Sequence, residues 1–157
     1  MRTYGPGLSS NAKPLEAVRN IMESTRKTIE DLLAVQEELI RREPIFHRPE
    51  HGTTREAFES MTADDFWETG ASGRRYSRDF VIDTVVRRYA ERHADQWCAE
   101  DFYCQMIAPS HYLLTYTLRQ GTRVTRRATL WRARNDHWVA VYHQGTIVEG
   151  SDENAAG

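Results

Sequence analysis

The residues most able to do chemistry stand at the ends of short, strongly β-forming runs. Residues 139–146 read VAVYHQGT, a run that finishes in an imidazole and an amide. His143 there either closes a ligand pocket or is a polar side chain satisfied at a strand end. Glu68 lies upstream in Phe66-Trp67-Glu68-Thr69, a carboxylate among aromatic residues. An imidazole and a carboxylate within hydrogen-bond reach form a general acid–base pair. The alternative is that the two merely satisfy each other or a backbone group.

Other reactive groups point to less. Asp64 and Asp65 are adjacent, and neighbours on an extended strand point in opposite directions, so they make a poor pair of metal ligands. His47, His51, His93, His111 and His137 share no ligand spacing, and no metal site is expected. Cys98 and Cys104 are the two cysteines. Six residues of strand span about 20 Å, whereas a disulfide needs Cα atoms within about 7 Å. The pair cannot bridge along one straight strand, which agrees with a reducing compartment. No Gly-rich phosphate loop, nucleophile elbow or His-Glu-x-x-His motif is present, which removes the enzyme classes with strong signatures. No cofactor is implied.

The elements that must position these side chains follow from periodicity. A chain of 157 residues holds one domain with a single sizeable core. Hydrophobic residues at 39% and charged residues at 28% give an ordinary globular composition. The net charge of −2 offers no general attraction to nucleic acid or membrane. No apolar run is long enough to span a bilayer, and MRTYGPGLSSNAKP lacks the apolar centre of a signal peptide, so the chain reads as cytoplasmic. Residues 1–14 read as a flexible arm and 147–157 as a disordered acidic tail, with a single domain over 15–146. Helical spacing runs over 15–42 and stops at Glu43-Pro44; its length allows a break near residue 27. Thr53 or Thr54 caps a short helix through Met61, and Ser77 caps one through about Arg92. Between them lie the strand Phe66–Thr69 and the turn Gly70-Ala71-Ser72-Gly73. The period then changes to two, and 97–107, 111–119, 122–134 and 137–146 read as strands. Helices followed by a meander define an α+β layout.

This order, with ADDFWETGASGRRYSRDFVI at 63–82 and WRARNDHWVAVYHQGT at 131–146, resembles the nuclear transport factor 2-like superfamily. The resemblance is nearest to a bacterial branch of unknown function, related in fold to SnoaL-like and ketosteroid isomerase-like proteins. It covers roughly 28–146, leaving 15–27 as a helical extension. It implies a cone-shaped curved antiparallel sheet packed on N-terminal helices, a cystatin-like roll, with a pocket at its open end. It also implies a homodimer through the outer sheet face. Both faces of the last strand are largely apolar, which independently asks for a second cover. On that strand Val139, Val141 and His143 are expected on one face, and Trp138, Ala140 and Tyr142 on the other.

The resemblance places Phe66 and Glu68 inward from the first strand. With them come Leu114, Tyr116, Leu118, Arg127, Thr129, Trp131, Val141 and His143. Glu68 and His143 are then the candidate catalytic pair, and Phe66, Tyr116, Arg127, Thr129, Trp131 and Val141 the candidate ligand-binding residues. That parity needs a three-residue loop, Arg134 to Asp136 with Asp136 left-handed, which sets Trp131 opposite Val139 and Arg127 opposite His143. Such a lining suits a small apolar or aromatic ligand. The steroid isomerase constellation fits poorly: Gly70 stands where its base would be, Thr129 falls near its oxyanion donor, and helix 28–42 has no tyrosine. Three readings follow: a small-molecule-binding protein with a partly apolar pocket, a cofactor-free lyase or isomerase using Glu68 and His143, and a dimeric association module without a ligand. The strand arginines alternate over both faces and suit ion pairs or dimer contacts better than a nucleic-acid groove.

Overall fold

The computed structural model of the chain describes residues 26–91 and 96–151. The arm, nearly all of the helical extension and the end of the acidic tail lie outside the described residues. Residues 26–29 are not helical, and a 3-10 turn at Glu30–Leu32 leads into helix α1, Leu33–Ile40. The break falls where Thr28 turns to the sheet: its hydroxyl accepts from Cys104 N (2.9 Å) and donates to Gln36. Helix α2, Arg55–Ser60, is capped by Thr54, whose side chain accepts from Ala57 N. Strand β1 covers Thr62–Thr69 and starts four residues before the expected Phe66. A short strand β2, Arg75–Ser77, folds back on β1. Helix α3, Arg78–Ala90, is capped by Ser77, and its apolar three-four spacing buries Val81, Ile82 and Val85.

Strands β3 (Cys98–Ala108), β4 (His111–Gln120), β5 (Arg123–Arg134) and β6 (His137–Ile147) form the antiparallel meander. The sheet order is β2-β1-β6-β5-β4-β3, with β1 running parallel to β6. The sheet is therefore mixed, and its one parallel pair joins the strand of Glu68 to that of His143. The chain stays ordered past residue 147, where Val148 N donates to Val124 O.

One face of the sheet packs on the helices. Leu114, Leu118 and Trp131 from the strands meet Leu39, Phe58 and Ile82 in a single core, each at most 1% exposed. Burying a side chain of this kind contributes about 1.5–3 kcal/mol. Cys104 sits in this core, where burial pushes its thiol up to about 11, while Cys98 on the same strand is exposed; both are free.

The β5–β6 connection differs from the expected loop. It is a two-residue turn, Asn135-Asp136, with Asn135 rather than Asp136 at positive φ. This sets Trp131 opposite Ala140. A β-bulge follows, leaving Val141 unpaired, and pairing resumes with Leu130 opposite Tyr142 and Thr129 opposite His143. Ala140 and Trp138 therefore share the inner face with His143, and Val139 does not. The single-face grouping of Val139, Val141 and His143 is corrected by that one extra residue.

Candidate functional site

Three inward side chains meet at the open end of the sheet. Glu68 on β1 and His143 on β6 are partners in the parallel register. Their side chains hydrogen-bond, His143 Nδ1 to Glu68 Oε2, at 3.0 Å. An ionised carboxylate only accepts, so Nδ1 carries the proton and Nε2 is left as the free ring nitrogen. His143 is 3% exposed, and its Nε2 has no partner among the described residues. Thr129, opposite His143 on β5, is wholly buried and its hydroxyl is likewise unpartnered. Two neighbouring polar atoms are thus desolvated without compensation inside the roll.

Arg127 is the third. Its Nε donates to Thr125 Oγ1 (2.9 Å), and its guanidinium lies over Gly145, its partner in the β5–β6 register. A Cβ at position 145 would stand 3.1 Å from Nη1, so glycine leaves the space that the guanidinium uses. Burial lowers the pKa of Arg127, and the nearby charge of Arg123 adds to that; Tyr116, Glu68 and Glu43 oppose it.

Glu68, Arg127 and His143 line a cleft of about 660 Å³. Helix α3 forms one wall with Phe80, Val81, Thr84 and Val85, and the loop Ile45–His47 closes the cleft below. That loop is held from several sides. Tyr89 donates to the Phe46 carbonyl at 2.9 Å and Arg88 donates to the same oxygen. The Phe46 ring meets Phe58 and Phe66 edge-on at 5.7 and 6.0 Å. These contacts hold Phe46 at φ 67, a left-handed conformation unusual for a bulky residue.

The other expected pocket residues do not line this cleft. Phe66, Tyr116, Thr129 and Trp131 are each at most 3% exposed, and Trp131 borders instead a separate cavity of about 290 Å³ with Phe46, Met61 and Trp138. Val141 is the bulge residue and belongs neither to the cleft nor to the core. The physical reason lies in Glu43, which sequence reasoning treated only as a helix stop. Its side chain is 0% exposed and accepts three hydrogen bonds: from Ile45 N (2.7 Å), Tyr116 OH (2.7 Å) and Trp131 Nε1 (3.0 Å). Burial, reinforced by the Glu43 carboxylate, holds the Tyr116 phenol well above its usual pKa. The polar ends of Tyr116 and Trp131 are therefore committed to Glu43 and unavailable to a ligand. A signal existed: a buried tyrosine and tryptophan each need a partner, and Glu43 is a carboxylate on the loop that covers them.

A second groove of about 630 Å³ opens on the outer sheet face beside Thr115, Thr117, Arg126 and Ala128. Arg126 there is ion-paired with Asp101 at 3.5 Å. Arg119 is likewise paired with Glu100. Among the described residues, no group of three His, Cys, Asp or Glu is placed to hold a metal, and no helix is long and apolar enough to cross a membrane.

A roll of this topology, with helices on its inner face and a cleft at one end, is the nuclear transport factor 2-like, cystatin-like fold. Comparison with solved structures gives the same result. An NTF2-like protein from Cytophaga hutchinsonii aligns over 78% of this chain and 100% of its own, at 12% identity and a TM-score of 0.55. An NTF-2 like protein of unknown function from Pseudomonas aeruginosa aligns over 71% and 97%, at 10% identity and a TM-score of 0.57. A putative Ca/calmodulin-dependent kinase II association domain from Exiguobacterium sibiricum aligns over 79% and 98%, at 18% identity and a TM-score of 0.52. No protein-family model and no curated protein matches the chain. The likeness defines the fold; function has to be argued from the cleft.

Glu43 supplies a test of how the roll is divided. Replacing it by glutamine keeps the shape but turns one acceptor into a donor facing donors. Glu43→Gln is expected to destabilise the fold by about 1–3 kcal/mol in urea unfolding. Unchanged stability would show that Tyr116 and Trp131 do not depend on the carboxylate.

Proposed function

We propose that the chain binds a small, partly apolar molecule in the cleft between α3 and the inner sheet face. One observation carries this: the space between α3 and the inner sheet face keeps about 660 Å³, against about 290 Å³ in the smaller cavity beside Trp131 and Trp138. Ligand sites commonly begin near roughly 300 Å³ and combine apolar walls with a few converging polar groups. Here Ile45, Phe80, Val81 and Val85 supply the walls, and Glu68, Arg127 and His143 the polar groups. A module that served only to associate would have no need of a cleft this size, nor of a buried imidazole with a free nitrogen.

Thr84 lies on the cleft wall of α3, so Thr84→Trp should occupy the cleft with little change to the core. Small molecules released on denaturing the purified protein are then compared by mass spectrometry. The expected result is a compound present in the wild-type extract and missing from the variant's. Identical extracts would contradict the reading.

The His143–Glu68 bond favours a second reading, proton transfer on the bound molecule without a cofactor. Nδ1 is oriented by the carboxylate, and Nε2 is the ring nitrogen left to act as base. For an identified ligand that turns over, Glu68→Gln and His143→Ala should each slow the reaction by about 10²–10⁴-fold. Undiminished turnover in both would leave binding alone.

The outer face suits a second copy of the chain. Leu113, Leu130, Tyr142 and Trp67 follow one another across four strands, with Trp67 43% exposed and packed on Tyr142 at 4.4 Å. Sedimentation is expected to show a dimer that Trp67→Glu weakens. A wild-type monomer at micromolar concentration would rule this out.

A further inference from the structure

The geometry points to a ligand with one carboxylate on an apolar body, its carboxylate held by Arg127 and Arg123 at the inner-sheet side of the cleft. This rests on reading the cleft as a ligand site, and goes beyond it by naming the chemistry of the ligand's polar end.

Charge is distributed unevenly around the cleft. Its lining includes three arginines, Arg88, Arg123 and Arg127, against one carboxylate, Glu68. Glu68 already accepts from His143. Arg88 is engaged with the Phe46 carbonyl and lies over the Tyr89 ring. Arg123 and Arg127 are different. They stand four residues apart on β5, both on the inner face, and the charge of Arg123 disfavours that on Arg127. Neither meets a carboxylate at ion-pair distance among the described residues, although Arg41, Arg42, Arg55, Arg119 and Arg126 all do; Glu68 and Glu43 act on Arg127 only from farther away.

A partly buried guanidinium without a counter-ion is costly, and a like charge beside it adds to the cost. Natural chains keep such an arrangement where a ligand completes it. Gly145 strengthens the case, because its missing side chain is what lets the Arg127 guanidinium lie flat in the cleft. The guanidinium fork matches a carboxylate or a phosphate. Glu68 is near enough to act on Arg127 electrostatically, and it disfavours a second negative charge on the ligand. One charge and an apolar body agree with walls built from Ile45, Phe80, Val81 and Val85.

Calorimetric titration of the full chain with cinnamate, cinnamamide and phenyl phosphate tests this. Cinnamate is expected to bind about tenfold or more tightly than the amide, the difference that one charge-assisted hydrogen-bond pair supplies. It should also bind more tightly than phenyl phosphate. Arg127→Gln and Arg123→Gln should each reduce cinnamate affinity towards that of the amide, and by more than they reduce the amide's own. Equal binding of amide and cinnamate overturns the carboxylate inference and leaves the pocket intact. Cinnamate binding that survives Thr84→Trp overturns both, and so does the failure of all three probes to bind. A ligand-free control separates a structural role for Arg127. Relief of the uncompensated charge predicts that Arg127→Gln melts at or above the wild-type temperature, and a melting point several degrees lower would contradict the inference.

Discussion

A single unpaired residue, Val141, decides which face of the sheet receives the imidazole of the last strand. The tight Asn135-Asp136 turn sets Trp131 against Ala140. Strict alternation from that pair would carry residue 143 to the outer face, since it lies three positions beyond Ala140. The bulge absorbs one position, so His143 returns to the inner face beside Glu68. It also aligns Gly145 with Arg127, as the turn aligns Ala140 with Trp131. Turn and bulge together thus serve the packed core and the cleft.

Packing then separates the surroundings of Glu43 from the cleft. Glu43 is a wholly buried carboxylate whose three donors come from its own loop, β4 and β5. Buried charges persist when hydrogen bonds compensate them, and this one is compensated. The cleft has the opposite character. His143 Nε2 has no partner, and neither Arg123 nor Arg127 has a carboxylate at ion-pair distance, among the described residues. Satisfaction of polar groups falls from Glu43 to the cleft, which is the pattern of a site that a ligand completes.

Much of the architecture was legible because it rests on local chemistry. Ser77 and Thr54 cap their helices, Gly121 takes the positive φ of its turn, and the alternating runs from Cys98 onwards are strands. The resemblance carried the inward parity of Glu68, Tyr116, Arg127 and His143. What stayed hidden was non-local. The bulge at Val141 has no glycine or proline to mark it, and the strand Arg75–Ser77 is too short for a periodic signal. Helical spacing continued through residues 26–29, where Thr28 instead reaches across to Cys104. Glu43 before a proline resembles any helix end, and only the three-dimensional meeting of Tyr116 with Trp131 shows its role. For that reason Tyr116 and Trp131, expected in the pocket, are found outside the cleft.

The proton-transfer reading of the cleft requires that His143 face inward with Nδ1 protonated against Glu68. Long-range proton–nitrogen correlation spectra of the imidazole, recorded at a pH where the ring is neutral, test this directly. The structure predicts the proton on Nδ1, and its displacement to Nε2 or exchange between the two nitrogens in Glu68→Gln. A wild-type ring protonated on Nε2, or one that exchanges with solvent as freely as an exposed histidine, would contradict the bulge-directed site.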